Sequence, residues 1–455
     1  EKDNEVRDID AFVDGLDLEK MGFKVHFPEN GRPAYHPSVL LKLFIYGYMN
    51  RIRSSRMLER ECGRNMELMW LLHSLSPDHN TIANFRKNNP EAIKRVFRAT
   101  VELAQNHSLI GGRIIAGDGT KLRAQNSKKN NYNQKKIKRH IEYIDRRLKE
   151  HNAALSEADG DREKEQINNE IDKHQGRRKK YENLEKQLKE TGETQISTSD
   201  PESRHMIIRG VVTEVAYNVQ STVDAEHNIP IDYEVTNTTD KRAMGGMLRR
   251  AKTILRTTDT TALFDKGYHT GSELLTVQNL GFKTLVAVPA QASNAPDATY
   301  NSYNFPYDHQ NDHYTCPQGH QLRTNGSIYT KHKGQTDQTS FRQYRTKQCK
   351  NCPVRSLCTA SAQNGKLIER NIYSEALEVN RANIEAEPDL YKRRQAIVEH
   401  PFGTIKRQWG FDHILTKKGK KRASADVGLI FIAYHLRRIS NILNGNGPLA
   451  SVSSP

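Results

Sequence analysis

Three carboxylates in this 455-residue chain stand where a divalent cation could be gathered. Asp118 follows the short apolar run Ile114, Ile115 and Ala116, and Asp265 follows Thr261 to Phe264. Asp118 is followed at once by Gly119, and Asp265 by Lys266 and Gly267. Each acid is therefore expected at a strand end, where a rigid sheet presents a side chain to a cleft. A single aspartate in that setting is more often a turn or cap residue, but the same setting twice is informative. Glu399 is the third candidate, in the segment Tyr391 to Lys406. On a helix Lys406, seven residues on, returns to nearly the same face as Glu399, with Pro401 placed to interrupt that helix. Carboxylates are hard oxygen ligands suited to Mg²⁺ or Mn²⁺, and grouping them is costly without a cation.

A second chemistry belongs to cysteine. Cys316 is followed by Cys349, Cys352 and Cys358, with His320 four residues after the first. A Cys-x2-Cys pair with two further cysteines nearby is a common way to close a tetrahedral Zn²⁺ site. One structural Zn²⁺ per chain is expected, with His320 as an alternative ligand or the thiols free. Cys62, alone in a helical block, is expected in a core.

The elements that must position these groups follow from periodicity. From Pro37 to Leu75 apolar residues recur at threes and fours (Val39, Leu40, Leu43, Phe44, Leu58, Met66, Met69, Trp70), which predicts helices. The next helix carries Ile82 and Phe85 beside Arg86 and Lys87, a candidate basic face for DNA. Alternation over Val211–Val223 and Ile229–Val235 predicts an antiparallel strand pair. A helix from Asp240 to Leu255 follows, with Asp240 placed to cap it. Strands are expected at Thr261–Phe264 and Lys283–Val288, with a helix over Thr270–Leu280 between them, so the fold class is mixed α/β. Ile137, Ile141, Ile144 and Leu148 form a heptad seam, continued by Leu155. A second helical run carries Ile167, Ile171, Tyr181 and Leu188, predicting a charged helical hairpin that turns near Gly160. Val427–Leu443 reads as a core helix.

Seven segments result: a helical DNA-binding or dimerisation domain (1–110), three pieces of an α/β core (111–130, 196–288, 376–445), the hairpin insertion (131–195), a Cys-rich insertion (289–375) and a tail (446–455). Lys and Arg number 70 against 54 acids, a formal charge of +16. That excess points to a polyanionic partner, most often nucleic acid. The apolar runs are too short to cross a bilayer, which takes about 20 residues. An intracellular protein with no membrane partner is the simplest reading.

Taken together these residues resemble the DDE transposases of bacterial insertion sequences. The resemblance rests on Asp118, on Phe264 to Tyr268, and on the set Tyr391, Arg394, Glu399 and Lys406. It rests too on the N-terminal strings Arg32 to Pro37 and Ser76 to Arg86, and spans about Phe12 to Leu443. The four-cysteine insertion is most similar to the IS-eleven-eighty-two branch. One departure is plain. The family places an arginine four residues before the glutamate, where this chain has Gln395; Arg394 and Tyr391 are each displaced by one.

The resemblance implies an RNase H-like mixed-sheet core in which Asp118, Asp265 and Glu399 hold two Mg²⁺ (or Mn²⁺) ions, Asp118 bridging them. Paired ions of this kind, about 4 Å apart, activate a nucleophile for in-line attack on phosphorus. Lys406, Arg393, Arg394, Arg407, Tyr391 and Lys266 are then expected against DNA phosphates. The implied partners are the terminal inverted repeats, target DNA and a second copy of the chain in a homodimer, in the bacterial cytoplasm and at the nucleoid when DNA-bound. The implied activity is cleavage of the repeats and joining of 3′ ends to target. The alternatives are a metal-dependent endonuclease without joining and a catalytically silent DNA-binding protein. The insertion is also rich in tyrosine (Tyr300, Tyr303, Tyr307, Tyr314, Tyr329, Tyr344), which stacks on extruded bases in some proteins and more often packs.

Overall fold

The computed structural model describes residues 4–26, 34–208, 210, 212–290, 293–333, 337–361 and 363–444. Arg32, Pro33 and Val211 of the sequence reading lie outside them, as does the expected tail 446–455. The N-terminal helices are α1 (Glu5–Asp14), α2 (Pro37–Met49), α3 (Ser55–Cys62), α4 (Met66–Leu71), α5 (His79–Asn88) and α6 (Pro90–Asn106). Then come β1 (Ile114–Arg123), β2 (Asn131–Asn133), α7 (Gln134–Glu157), α8 (Asp161–Thr191), β3 (Gln195–Ser197), β4 (Arg204–Ile208), β5 (Val212–Asp224) and β6 (Ile229–Thr236). These are followed by α9 (Met244–Leu255), β7 (Thr261–Phe264), α10 (Gly271–Asn279) and β8 (Lys283–Val286). The remainder is β9 (Tyr307–Asp308), β10 (His313–Thr315), β11 (Gln321–Lys333), β12 (Asp337–Arg345), α11 (Arg355–Cys358), β13 (Ile368–Asn371), α12 (Ser374–Ala386), α13 (Pro388–Phe402) and α14 (Lys420–Asn444). The chain divides into two compact units, Glu1–Asp240 with Thr253–Arg256 and Gln395–Pro455, and Lys241–Lys252 with Thr257–Arg394. No helix of the described residues is long and apolar enough to cross a membrane.

In the first unit β5 is the organiser. It pairs antiparallel with β1, β4 and β6, and Val215, Tyr217, Val219 and Val223 along it are buried. Its length changes the picture of β1. The glycines around Asp118 signal a strand end, because Gly weakens strands and marks turns. Yet β1 runs on to Arg123, paired residue by residue with β5 from Ile115↔Asp224 to Arg123↔Ala216. Asp118 therefore lies in mid-strand, not at a strand end. A long, buried partner overrides the weak propensity of Gly117, Asp118 and Gly119.

Helices α6 and α14 close over this sheet. Phe97 of α6, Tyr233 of β6 and Phe431 of α14 meet with ring centroids 4.8 to 6.0 Å apart. The N-terminal helices thus share a core with the C-terminal helix. The join is an ion cluster. Asp426 of α14, with no exposed side-chain surface, accepts from Arg53 Nη2 at 2.7 Å, from the Leu415 N–H at 2.7 Å and from the Tyr48 hydroxyl, and pairs with Arg86 Nη1 at 3.5 Å. Burial pushes its carboxyl up, but Arg53, Arg86 and Tyr48 outweigh that and hold it below the ordinary carboxylate range. Arg86 is accordingly buried and does not contribute to a basic DNA-facing side of α5; of that pair only Lys87 reaches the surface.

The hairpin α7–α8 packs Ile137, Ile144, Tyr181, Leu184 and Leu188 with Tyr132, and Ile141, Leu148 and Ile196 lie against them. The strands β2 and β3 pair at its base. Charged residues cover the rest.

In the second unit β7 and β8 run parallel with α10 as the crossover, as short apolar runs separated by a helical period require. Asn380 of α12 seals β8, accepting from the Val286 N–H at 2.9 Å and donating to the Val286 carbonyl at 2.8 Å. The Cys-rich insertion contains its own antiparallel sheet, in the order β13-β12-β11-β10-β9, larger than a ribbon. Tyr314 and Tyr344 are buried in it with Phe305, Leu322 and Ile368. Tyr307 and Tyr344 both donate to Asp312, at 2.7 and 2.6 Å. Most of the tyrosines therefore serve packing.

Candidate active site

Asp118 is half-buried in β1 opposite Ser221, and its Oδ1 accepts the Gly119 N–H at 2.9 Å. Successive side chains on a strand alternate faces, so Asp118 shares one face with Thr120, and Gly119 shares the other with Lys121. Behind Gly119 lies a polar cluster absent from the sequence reading. Asp240 accepts from Asn218 Nδ2 and Gln220 Nε2, both at 2.7 Å, and from Lys121 Nζ at 3.2 Å. Asp240 thus braces the back of β1 instead of capping a helix, and α9 begins only at Met244. A Cβ at residue 119 would stand 2.3 Å from Asp240 Oδ1 and 2.8 Å from Asn218 and Gln220. Gly119 is needed for that close approach, whatever else it does.

Glu399 and Lys406 belong to the C-terminal part of the same unit, and Lys406 reaches the strand of Asp118. Glu399 is exposed near the end of α13, and Gln395, one turn earlier, donates to its Oε1 at 2.9 Å. Gln395 therefore occupies the place of the family's arginine and also contacts the acid. The helix does not continue regularly to Lys406. Pro401 ends the α geometry, and Gly403–Gln408 form a wider π turn, closed by the Trp409 N–H on the Thr404 carbonyl at 2.9 Å. Such turns re-aim the side chains that follow. Here Lys406 Nζ donates to Thr120 Oγ1 at 3.1 Å and to the Lys121 carbonyl at 3.4 Å. The lysine is fixed to the strand of Asp118, on its face, two residues away. Thr120 did not stand out in the sequence, and Gln395 stood out only as a departure at the place of the family's arginine.

Asp265 belongs to the second unit. It follows β7 directly, as expected, and caps a short 3₁₀ turn by accepting the Gly267 N–H at 2.8 Å. Tyr268 of that turn is buried against Phe264, ring centroids 4.9 Å apart. Of the expected phosphate contacts, Lys266, Arg393 and Arg407 are exposed and Tyr391 and Lys406 are half-buried. Arg394 is half-buried, with its Nη1 enclosed and unpartnered among the described residues. Among the described residues no three His, Cys, Asp or Glu side chains are set as a metal-holding group.

The four insertion cysteines come together. Cys316, Cys349, Cys352 and Cys358 line one cavity of about 20 Å³, with His320, Lys366 and others. Residues 316–320 form a tight turn. The Cys316 N–H donates to the His320 carbonyl at 2.9 Å and the His320 N–H points at Cys316 Sγ at 3.3 Å. Burial pushes the Cys358 thiol up, and the other three sulfurs add to this, which is the electrostatic cost that a cation among them would remove. Cys62 is buried, as expected, its thiol pushed up to about 11 by burial.

Residues 1–88 match the family described as Transposase domain (DUF772), and residues 315–440 match the Transposase DDE domain. No curated protein matches the chain. Among solved structures, a cryo-EM synaptic complex of piggyBac transposase with hairpin DNA aligns at 9% identity and a TM-score of 0.35, covering 98% of this chain and 74% of that chain. Both family matches, one at each end of the chain, are to transposase domains, the second of the DDE type.

Proposed function

We propose that this chain is a metal-dependent DNA transposase of the IS-eleven-eighty-two branch. In this reading it binds the terminal inverted repeats of its element as a homodimer, cuts them and joins the 3′ ends to target DNA. Its core is RNase H-like, with Asp118, Asp265 and Glu399 as the catalytic acids. The observation that carries the reading is the anchoring of Lys406 on Thr120 and Lys121. It ties the Glu399 segment to the strand of Asp118.

The donor set fits divalent metal: three carboxylates, of which Glu399 is exposed and oxygen-only, as Mg²⁺ and Mn²⁺ prefer. Asp118, Asp265 and Glu399 would hold such ions, which supply Lewis-acid activation of the nucleophile and neutralise charge at phosphorus. The chain's own groups do the rest. Gln395 fixes the orientation of the Glu399 carboxylate. Lys406 holds the Glu399 segment to β1. Lys266, Tyr391, Arg393, Arg394 and Arg407 contact phosphates and set the register of the DNA. Cys316, Cys349, Cys352 and Cys358 of the insertion would hold a structural Zn²⁺, which would supply a cross-link between the segments that carry them.

Labelled DNA carrying the element's own ends, incubated with Mg²⁺ and a supercoiled target, tests the reading. Cut ends together with joined products are expected, and neither in EDTA. Cuts without joining would reduce the function to that of an endonuclease, and binding without cuts would leave only a DNA-binding protein. For the zinc, elemental analysis of the purified protein is expected to give about one Zn²⁺ per chain. A folded, metal-free protein would remove the site.

A further inference from the structure

A dense run of positive charge in the first unit lies outside the residues discussed so far as phosphate contacts. Residues 417–422 read Lys417, Lys418, Gly419, Lys420, Lys421 and Arg422, the turn before α14 and the first residues of that helix. Lys417, Lys418 and Lys421 are exposed. Lys418, Lys421 and Arg422 line an open cleft of about 680 Å³ together with Lys87 at the end of α5 and Glu91 of α6.

The backbone of this run is held from behind. Asp200, fully buried, accepts the Gly419 N–H at 2.9 Å and the Tyr217 hydroxyl at 2.6 Å. Glu202 Oε2 accepts the Lys420 N–H at 2.8 Å. Lys418 and Gly419 have φ of 69° and 109°, in the left-handed region, and a Cβ on Gly419 would stand 2.4 Å from Glu202. Each of the two acids therefore accepts a peptide N–H of the run. Of the cationic side chains, Lys420 pairs with Glu202 at 3.6 Å and Lys421 with Glu91 at 3.4 Å, both between well-exposed groups. Exposed pairs of this kind contribute little and give way to a stronger anion. A backbone held from behind that exposes lysines beside a cleft lined also by Lys87 is organised for a polyanion: the cations are spread over two elements, as along a phosphodiester backbone.

We infer that the Lys417–Arg422 turn and Lys87 form a DNA-backbone docking surface in addition to the active site. This rests on the transposase reading for the choice of duplex DNA over other polyanions. Its contacts are electrostatic and sequence-independent. Removing one lysine–phosphate interaction lowers the steepness of log K against log salt by about 0.9.

The test is a salt titration of binding by the full-length chain. The probes are a labelled duplex carrying an element end and a random duplex of equal length. The variant is Lys417→Gln/Lys418→Gln/Lys421→Gln, all at exposed positions, with the corresponding Lys→Arg triple as the control that keeps charge. The Gln triple is expected to lower the slope by roughly 2 to 3 and to weaken both duplexes about tenfold or more near 0.1 M salt. The Arg triple is expected to behave as wild type. An unchanged slope, or a loss confined to the element-end duplex, would overturn the surface while leaving Mg²⁺-dependent cutting by wild type, and with it the transposase reading, intact. Conversely, a wild type that binds with the expected slope but never cuts would remove that reading and leave the surface standing. A wild type that binds no duplex would end both.

Discussion

Asp426 and Glu399 are both helical acids of one compact unit, both close to cations in sequence or in space, and they are treated in opposite ways. Asp426 is sealed in a core and saturated by Arg53, Arg86, Tyr48 and a backbone N–H. Glu399 is exposed and is steadied by one neutral side chain, Gln395. The first arrangement spends its charge on joining the N-terminal helices to α14. The second keeps a carboxylate oriented with its charge available to something that arrives from solution. The number and charge of the donors, more than the acid itself, separates a structural carboxylate from a functional one.

This contrast can be broken most forcefully at Asp426. Asp426→Ala leaves Arg53 and Arg86 buried without their counter-charge and is expected to cost about 3–5 kcal/mol of stability, read in chemical denaturation. Glu399→Gln is expected to fall within about 0.5 kcal/mol of wild type in the same assay. Equal losses in the two variants would erase the distinction.

A second buried group sharpens the picture through pH. His435 of α14 is enclosed, with its Nδ1 2.7 Å from Thr100 Oγ1 and the Phe97 ring against it, and burial pushes its pKa down to about 3. The folded protein keeps this imidazole neutral while the unfolded chain protonates it below about 6.5. Its stabilising contribution is complete above that pH and declines as pH falls towards 3, at up to about 1.4 kcal/mol per pH unit. His435→Gln is expected to flatten the stability profile between pH 6 and pH 4 by roughly that slope. An unchanged profile would show that the group is not held neutral.

Smaller effects are expected nearer the site. Gly119→Ala drives a methyl towards Asp240, Asn218 and Gln220 and is expected to cost about 1–3 kcal/mol, with cleavage falling more than DNA binding because the strand of Asp118 is displaced. Gln395→Ala is expected to change stability by less than about 0.5 kcal/mol and to show itself only in the rate of cleavage. A Gly119→Ala protein as stable and as active as wild type would dismiss the brace behind β1.

Much of this was legible in the sequence where local signals and tertiary context agree. The runs of β7 and β8, the seam of α7 and the apolar α14 are all set by periodicity that their neighbours reinforce. The failures share a cause. Arg86 and Lys87 look alike in sequence, but only a buried partner far along the chain, Asp426, draws one of them inward. Asp118 looks like a strand end because glycine flanks it, and only the length of β5 extends the strand. Asp240 looks like a cap, and only the amides of Asn218 and Gln220 on β5 claim it. The three acids stand out by residue type and setting alone. The anchoring of Lys406 on Thr120 does not, because it joins segments distant in the chain.

The most direct measurement of the central claim is cleavage of element-end DNA in Mg²⁺ by wild type and by Asp118→Asn, Asp265→Asn and Glu399→Gln, alongside binding of the same DNA. Each variant is expected to lose at least about a thousandfold in cleavage rate, equivalent to roughly 4 kcal/mol, with end binding and stability retained. Cleavage at a wild-type rate by any one of them would contradict its assignment, and by all three would contradict the account of the site.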